Sequence, residues 1–236
     1  MKRPDLRQTA VLAMLLALAA PSYADGWQTI TGCRLIENES NDGDSFHVNA
    51  DGKERIFRLY FVDTPEAESG GYVTERVGEQ AKEFGITREE SVEMGKKAAS
   101  FTRAVLSRPF KVVTRGQHAM GASRLQREYA FVETADGEDL GEMLLSRGLA
   151  RSFGEAAAPP GESEQRLRAK YDRLEAKARS EKLGAWGDGA EVPTIALPSS
   201  ADAKTEDSDQ SAGGMPDLTD LIKPASEIFS EDANKP

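Results

Sequence analysis

The feature that most constrains this chain is a pair of apolar runs with turn signals between and after them. Ser45 to Val48 and Ile56 to Val62 are joined across Asp51-Gly52, and Thr64-Pro65 closes the second run. An Asp-Gly pair between such runs is a strong hairpin signal. The residue before a proline avoids helical backbone and proline cannot donate to a sheet, so the second strand stops there. Acids stand at the strand ends: Asp44 ahead of the first, Asp63 and Glu66 at the end of the second. Taken singly, Asp42-Gly43, Asp51-Gly52 and the Asp63 to Glu66 stretch read equally well as solvated turns. Arg58 is less ordinary, because it interrupts Ile56, Phe57, Leu59, Tyr60, Phe61 and Val62. A guanidinium there requires water, an ion pair or an anionic ligand. Strict alternation puts Arg58 and Asp63, five positions apart, on opposite faces. A site that uses both therefore demands that the strand twist or end between them.

The rest of the chain supplies a small barrel around this hairpin. Trp27 to Ile36 reads as a first strand bulged at Gly32. In the second strand Phe46 and Val48 alternate with Ser45, His47 and Asn49, which makes His47 a surface strand residue. Phe110 to Thr114 and Tyr129 to Glu133 read as the fourth and fifth strands. Between them Gly116 to Gln126 reads as a polar loop; Arg115, His118, Arg124 and Arg127 form either a solvated rim or the positive side of the acidic cleft. Thr74 to Phe84 has helical composition, and the capping box Thr87 to Glu90 starts another helix. That helix carries Ala98, Phe101 and Val105 on one face, is interrupted or bent at Gly95, and ends before Pro109. Leu140, Leu144 and Leu145 make a short helix closed by Gly148. Leu167, Tyr171, Leu174 and Ala178 form an apolar stripe on a charged helix, with Trp186 at its end. Residues 25–188 are thus expected to form one mainly β, α+β domain with a five-stranded barrel. The partly helical segment 67–94 adjoins Glu66, where it can act as a lid or a substrate-sizing wall.

Composition bounds the chemistry. Lys2, Arg3 and Arg7 precede an apolar run from Ala10 to Ala20, and Ser22-Tyr23-Ala24 offers a cleavage site. Residues 1–24 therefore read as a signal peptide, too short in its apolar part to span a bilayer, and the product is expected to be exported to the periplasm or beyond. The single Cys33 has no internal disulfide partner and reads as a buried strand residue. One cysteine and two histidines argue against a conventional zinc site, whereas oxygen ligands for a hard cation abound. Acids outnumber bases 40 to 30, a formal charge of -10, which argues against tight nonspecific nucleic-acid binding by bulk charge. Residues 189–236 hold ten acids and three lysines and are expected to be mostly disordered, with Leu218, Leu221 and Ile222 (218–222) offering one short docking turn for a protein partner. The domain is expected to be a monomer.

Six segments, in this order, carry a family resemblance: DGDSF at 42–46, FRLYFVDTPE at 57–66, GKKAASFTRAVL at 95–106, REYAFVETADG at 127–137, LLSRGLAR at 144–151 and AKARSEKLGAWG at 176–187. Together they resemble the staphylococcal nuclease (thermonuclease) family over residues 27–187. The resemblance implies a five-stranded OB-type Greek-key barrel with three helices and a calcium-dependent phosphodiesterase acting on DNA and RNA, leaving 3'-phosphate and 5'-hydroxyl ends. It implies that Asp44, Asp63 and the Thr64 carbonyl hold Ca2+, that Arg58 and Arg127 contact the scissile phosphate, with Arg127 assigned to the leaving oxygen, and that Glu66 activates water. A divalent cation and paired guanidinium groups suit this reaction because charge gathers on phosphate oxygens in the transition state. The family's tyrosines are absent at Leu125 and near Gly154, which leaves Arg124 and Tyr129 as candidate substrate contacts, with Tyr72 an alternative, and the 67–94 segment exceeds the family's compact pattern. Two other readings remain open from the residues. One is a noncatalytic OB-type module of the cell envelope that binds nucleic acid or protein; it requires Asp44, Arg58, Glu66 or Arg127 to point away from a common pocket. The other is a structural envelope protein docked through its acidic tail.

Overall fold

The structure is a computed structural model that describes residues 26–120 and 125–187. The expected leader at 1–24, Arg124, and residues 189–236 with the docking turn expected at 218–222 lie outside the described residues. Five strands close on themselves: β1 (Gln28–Leu35), β2 (Ser45–Ala50), β3 (Lys53–Leu59), β5 (Phe110–Ala119) and β6 (Arg127–Glu133), in the order β1-β2-β3-β6-β5 with β5 returning to β1. All pairs are antiparallel except β3 with β6. Two short strands, β4 (Val62–Asp63) and β7 (Arg151–Ser152), make a separate ladder. Four helices complete the domain, α1 (Thr74–Phe84), α2 (Arg88–Val105), α3 (Leu140–Ser146) and α4 (Glu164–Ser180), one more than the resemblance implies. Among the described residues no helix is long and apolar enough to cross a membrane.

The β2–β3 hairpin runs in unbroken register from Ser45 opposite Arg58 to Ala50 opposite Lys53. Asp51 and Gly52 both take positive φ, 52° and 76°, the conformation of the two-residue turn that matches strand twist. The register shift expected at Gly32 lies between Ile30 and Cys33, where Gly32 has φ 69°.

Two strand boundaries depart from the sequence reading. β5 continues to Ala119 instead of giving way to a loop after Thr114. A second register shift, between Thr114 and His118, lets Gly116 take φ 69° while pairing with β6 resumes beyond it. Such a bulge breaks the alternation on which the reading relied. β3, expected to run to Val62, ends at Leu59. Phe61 is fully buried yet has φ 61°, a conformation that costs a bulky residue about 1–3 kcal/mol. It is held there by its N–H on the Glu155 carbonyl (2.9 Å) and its carbonyl accepting Phe153 N–H (2.8 Å). The break resets the alternation, so Arg58 and Asp63 end on the same side.

The helices close the core. Val77, Ala81 and Phe84 of α1, Met94, Ala98 and Phe101 of α2 and Leu140, Leu144 and Leu145 of α3 are buried with barrel residues such as Phe46, Val48, Phe57 and Val112. The Thr87–Glu90 capping box starts α2 as expected, and the helix runs through Gly95 without interruption. On α4, Tyr171 and Ala178 are buried and Leu167 and Leu174 half-buried, and Trp186 packs on Phe84 with ring centroids 4.3 Å apart.

Candidate active site

The site is assembled from two turns that the packed helices hold together. In the first, the Asp42 carboxylate accepts the N–H groups of Asp44 (3.1 Å) and Ser45 (2.6 Å), a side-chain-closed turn. Gly43 is obligatory here, because a Cβ would lie 2.7 Å from Thr64 Cγ2 and 2.8 Å from Ala98 Cβ. Its carbonyl accepts the Thr102 hydroxyl of α2 at 2.7 Å. The second turn is Asp63-Thr64-Pro65-Glu66. Thr64 N–H donates to Asp44 Oδ2 at 3.0 Å, which ties the turns directly. Asp44 and Asp63 are buried at 2% and 1% exposure.

Buried carboxylates require partners, and these acids share a group of arginines. Arg58 Nη2 donates to Asp63 Oδ1 (3.0 Å) and Asp44 Oδ2 (3.3 Å). Arg76 of α1 pairs with Asp63 Oδ1 and places Nε 2.5 Å from Glu66 Oε1. Arg151 of β7 donates from Nε to Asp63 Oδ2 at 2.9 Å. Gln80 of α1, fully buried, donates from Nε2 to Asp63 Oδ2 (3.2 Å) and the Thr64 carbonyl (2.8 Å), while its Oε1 accepts Glu66 N–H (3.0 Å). Asp44 chiefly, with Asp63 and Asp42, holds the Arg58 guanidinium firmly protonated against its burial. Burial, and then the charges of Asp44 and Glu66, pushes the Asp42 carboxyl well above the ordinary carboxylate range. Burial also raises Glu66; Arg76 opposes this, and Asp44 and Asp63 add to it.

A cleft of about 570 Å³ opens over this cluster. Asp42, His47, Arg58, Glu66, Arg76 and Arg127 are among the residues that line it. The register pairs Ile56 with Arg127 and Arg58 with Tyr129 across parallel strands. Arg58 and Arg127 therefore project from one sheet face, two positions apart along adjacent strands. Arg127 Nε is buried with no hydrogen-bond partner among the described residues.

The structure thus brings Asp44, Arg58, Asp63 and Thr64 into direct contact, joins Glu66 to them through Arg76, and sets Arg127 in the same cleft. Tyr129 is half-buried beside Arg58 and stacks on Tyr60 with centroids 5.1 Å apart. Arg124 lies outside the described residues. His47 bonds Glu54 and Ser40, but its side chain is 12% exposed and lines the cleft, so it is less open than a surface strand residue. Four residues of the cluster escaped the sequence reading: Asp42, taken as a turn, and Arg76, Gln80 and Arg151. Gln80 alone left a signal, a polar residue inside the buried stripe Val77, Ala81 and Phe84.

Among the described residues no three acidic, histidine or cysteine side chains converge as a closed metal cage. The donors present, two carboxylates and a carbonyl, are hard oxygens of the kind that calcium takes together with water. Four carboxylates (Asp42, Asp44, Asp63, Glu66) face three paired guanidinium groups (Arg58, Arg76, Arg151), and Asp42 makes no ion pair among the described residues. The set fits a divalent cation in charge and donor type, provided that donors now occupied by Arg76 or Gln80 are released.

Buried acids and arginines thus meet at one cleft of a five-stranded barrel. The chain belongs to the staphylococcal nuclease homologue family, whose model matches residues 56–188, from within β3 to the end of the described domain. Arg58, Asp63, Glu66 and Arg127 fall within that match; Asp42 and Asp44 precede it. The family is one of nucleases, and nuclease activity is the general function that membership brings.

Proposed function

We propose that the chain is a calcium-dependent endonuclease that hydrolyses phosphodiester bonds of DNA and RNA outside the cytoplasm and leaves 3'-phosphate and 5'-hydroxyl ends. The observation that carries the reading is the pairing of Arg58 and Arg127 on one sheet face, above carboxylates within a cleft. Two guanidinium forks there hold the nonbridging oxygens of one phosphate and strengthen their hold as charge builds in the transition state. Glu66 lies at the cleft wall, and the burial that raises its pKa makes it a stronger base toward an in-line water. Water attacks phosphorus, its proton passes to Glu66, the P–O5' bond breaks, and the leaving 5' oxygen, its charge met by the Arg127 guanidinium, takes its proton from solvent to become a hydroxyl. Asp44, Asp63 and the Thr64 carbonyl would hold Ca2+, which when bound supplies a Lewis acid for the phosphate oxygen.

The test uses protein beginning at Asp25 with single-stranded DNA, duplex DNA and RNA, in calcium or in chelator, alongside Glu66→Gln. The expected result is calcium-dependent cleavage that falls by about 10² or more in the variant. Folded wild type that binds these substrates but cleaves none of them would instead identify a noncatalytic module.

A further inference from the structure

Arg76 belongs to α1, in the segment that exceeds the family's compact pattern, yet it sits inside the cluster. Its Nη2 reaches Asp63 and its Nε faces Glu66, so one guanidinium bridges an implied cation ligand and the implied base. A hard cation held by Asp63 would compete with Arg76 for that carboxylate. The hold is also asymmetric. Nε lies 2.5 Å from Glu66 Oε1 but is buried with no hydrogen-bond partner among the described residues, so charge alone joins that pair. The Arg76 side chain is 37% exposed, against 14% for Arg58 and 16% for Arg151, which gives it an open route into the cleft that it lines. If it leaves, Asp63 keeps Arg58, Arg151 and Gln80 and is not stranded. The helix need not move, because buried Gln80, one turn further on, pins α1 to the Thr64 and Glu66 backbone.

We infer that Arg76 is an internal counter-cation. Resting on the nuclease reading above, it neutralises Asp63 and Glu66 while no divalent cation is bound, yields that place when one enters, and then faces the phosphodiester as a third guanidinium of the cleft. Cation binding and exposure of an anion-binding group are thereby coupled in one side chain, since the affinity given up to displace Arg76 returns when substrate binds it.

The experiment is calorimetric titration of calcium alone into the wild-type protein, Arg76→Ala and Arg76→Gln, without nucleic acid. Removing the competing charge should tighten calcium binding by about tenfold in both variants. Arg76→Gln keeps the side-chain stem and serves if the alanine variant does not fold. At saturating calcium, kcat/KM on single-stranded DNA should fall about tenfold in both, with partial rescue in Arg76→Lys. Unchanged or weaker calcium binding in the variants overturns the inference, and does so without touching the nuclease reading if wild type still cleaves. Tighter calcium binding with no cleavage by any protein upholds the counter-cation and removes the nuclease reading instead.

Discussion

Replacing Gly95 by alanine isolates the role of α2 in setting the position of Glu66. In an ordinary helix interior this change stabilises by about 0.5–1 kcal/mol. Here an added Cβ would lie 2.3 Å from the Glu66 carbonyl oxygen, 2.4 Å from its carbonyl carbon and 2.7 Å from Ala67 N. All three are backbone atoms, so no rotamer change relieves the clash. Opening the shortest contact from 2.3 Å to 3.0 Å, the floor for real Cβ contacts, displaces the loop or the helix by at least 0.7 Å. Glu66 N–H is bound to Gln80 at 3.0 Å, so the shift breaks that bond or drags α1 with it. Overpacking costs about 1–3 kcal/mol, which against the helix gain leaves a net loss between about 0 and 2.5 kcal/mol. A displacement approaching 1 Å at a reacting group costs on the order of 100-fold in rate. The assay is kcat/KM on single-stranded DNA in calcium, with a thermal melt beside it. Gly78→Ala on α1 is the control, since its Cβ meets only the flexible end of Arg88, at 2.6 Å from Nη2; it should retain activity and gain the ordinary helix increment. A Gly95→Ala enzyme within about threefold of wild type would refute the claim that this helix contact places Glu66.

Two further groups report on the fold. Asp139 caps α3, accepting Glu142 N–H at 2.8 Å and the Tyr171 hydroxyl at 3.0 Å, and burial raises its pKa from 3.8 to about 6. The folded state then holds this proton better than the unfolded state, so the stability it contributes is full below about pH 4 and is lost as pH rises through about 6, up to about 3 kcal/mol in all. Asp139→Asn, which keeps the cap oxygen, should flatten that part of the stability curve in urea melts; an identical slope in both proteins would contradict the assignment. Burial likewise pushes the Cys33 thiol up to about 11, and its Sγ lies 3.5 Å from the Ile30 carbonyl. It should resist an aromatic disulfide reagent at pH 8 until denaturant is added, and prompt labelling of native protein would dislodge it from the barrel wall.

What was legible in the sequence was what short-range chemistry decides. The Asp51-Gly52 turn, the Thr87–Glu90 capping box, the Gly32 bulge and the span of α1 each depend on residues within a few positions of one another, and each stands where the pattern put it. The break at Tyr60-Phe61 was not legible as such. Nothing in FRLYFVD asks for a left-handed phenylalanine; its two stabilising hydrogen bonds come from Phe153 and Glu155, about ninety residues later. What the sequence did supply was the contradiction that the break resolves, since Arg58 and Asp63 cannot share a site on an unbroken strand. β5 was misjudged for a related reason. Past Gly116 it is a rim strand with polar side chains on both faces, and only its pairing with β6 identifies it.

The same distinction explains which members of the candidate site were found. Asp44, Arg58, Asp63, Glu66 and Arg127 were reachable because they lie in segments whose order resembles a known family. Arg76 and Gln80 lie outside those segments, and Arg151, which lies inside one, shows its importance only when buried charge is balanced in three dimensions. Asp44 and Asp63 share Arg58, which leaves one buried carboxylate short of a partner, and Arg151 arrives from β7 to meet it. Glu66 then needs its own cation, and the one that reaches it comes from the segment that looked like an insertion. Asp42 makes no ion pair among the described residues, and burial, with the charges of Asp44 and Glu66, raises its pKa against the pull of Arg58. Segment 67–94 therefore takes part in the site's charge balance through Arg76 and also lines the cleft with Ala67, Glu68, Gly70 and Val73. Cutting it away would remove both Arg76 and Gln80, leaving the Thr64 carbonyl and the Glu66 N–H without their present partner.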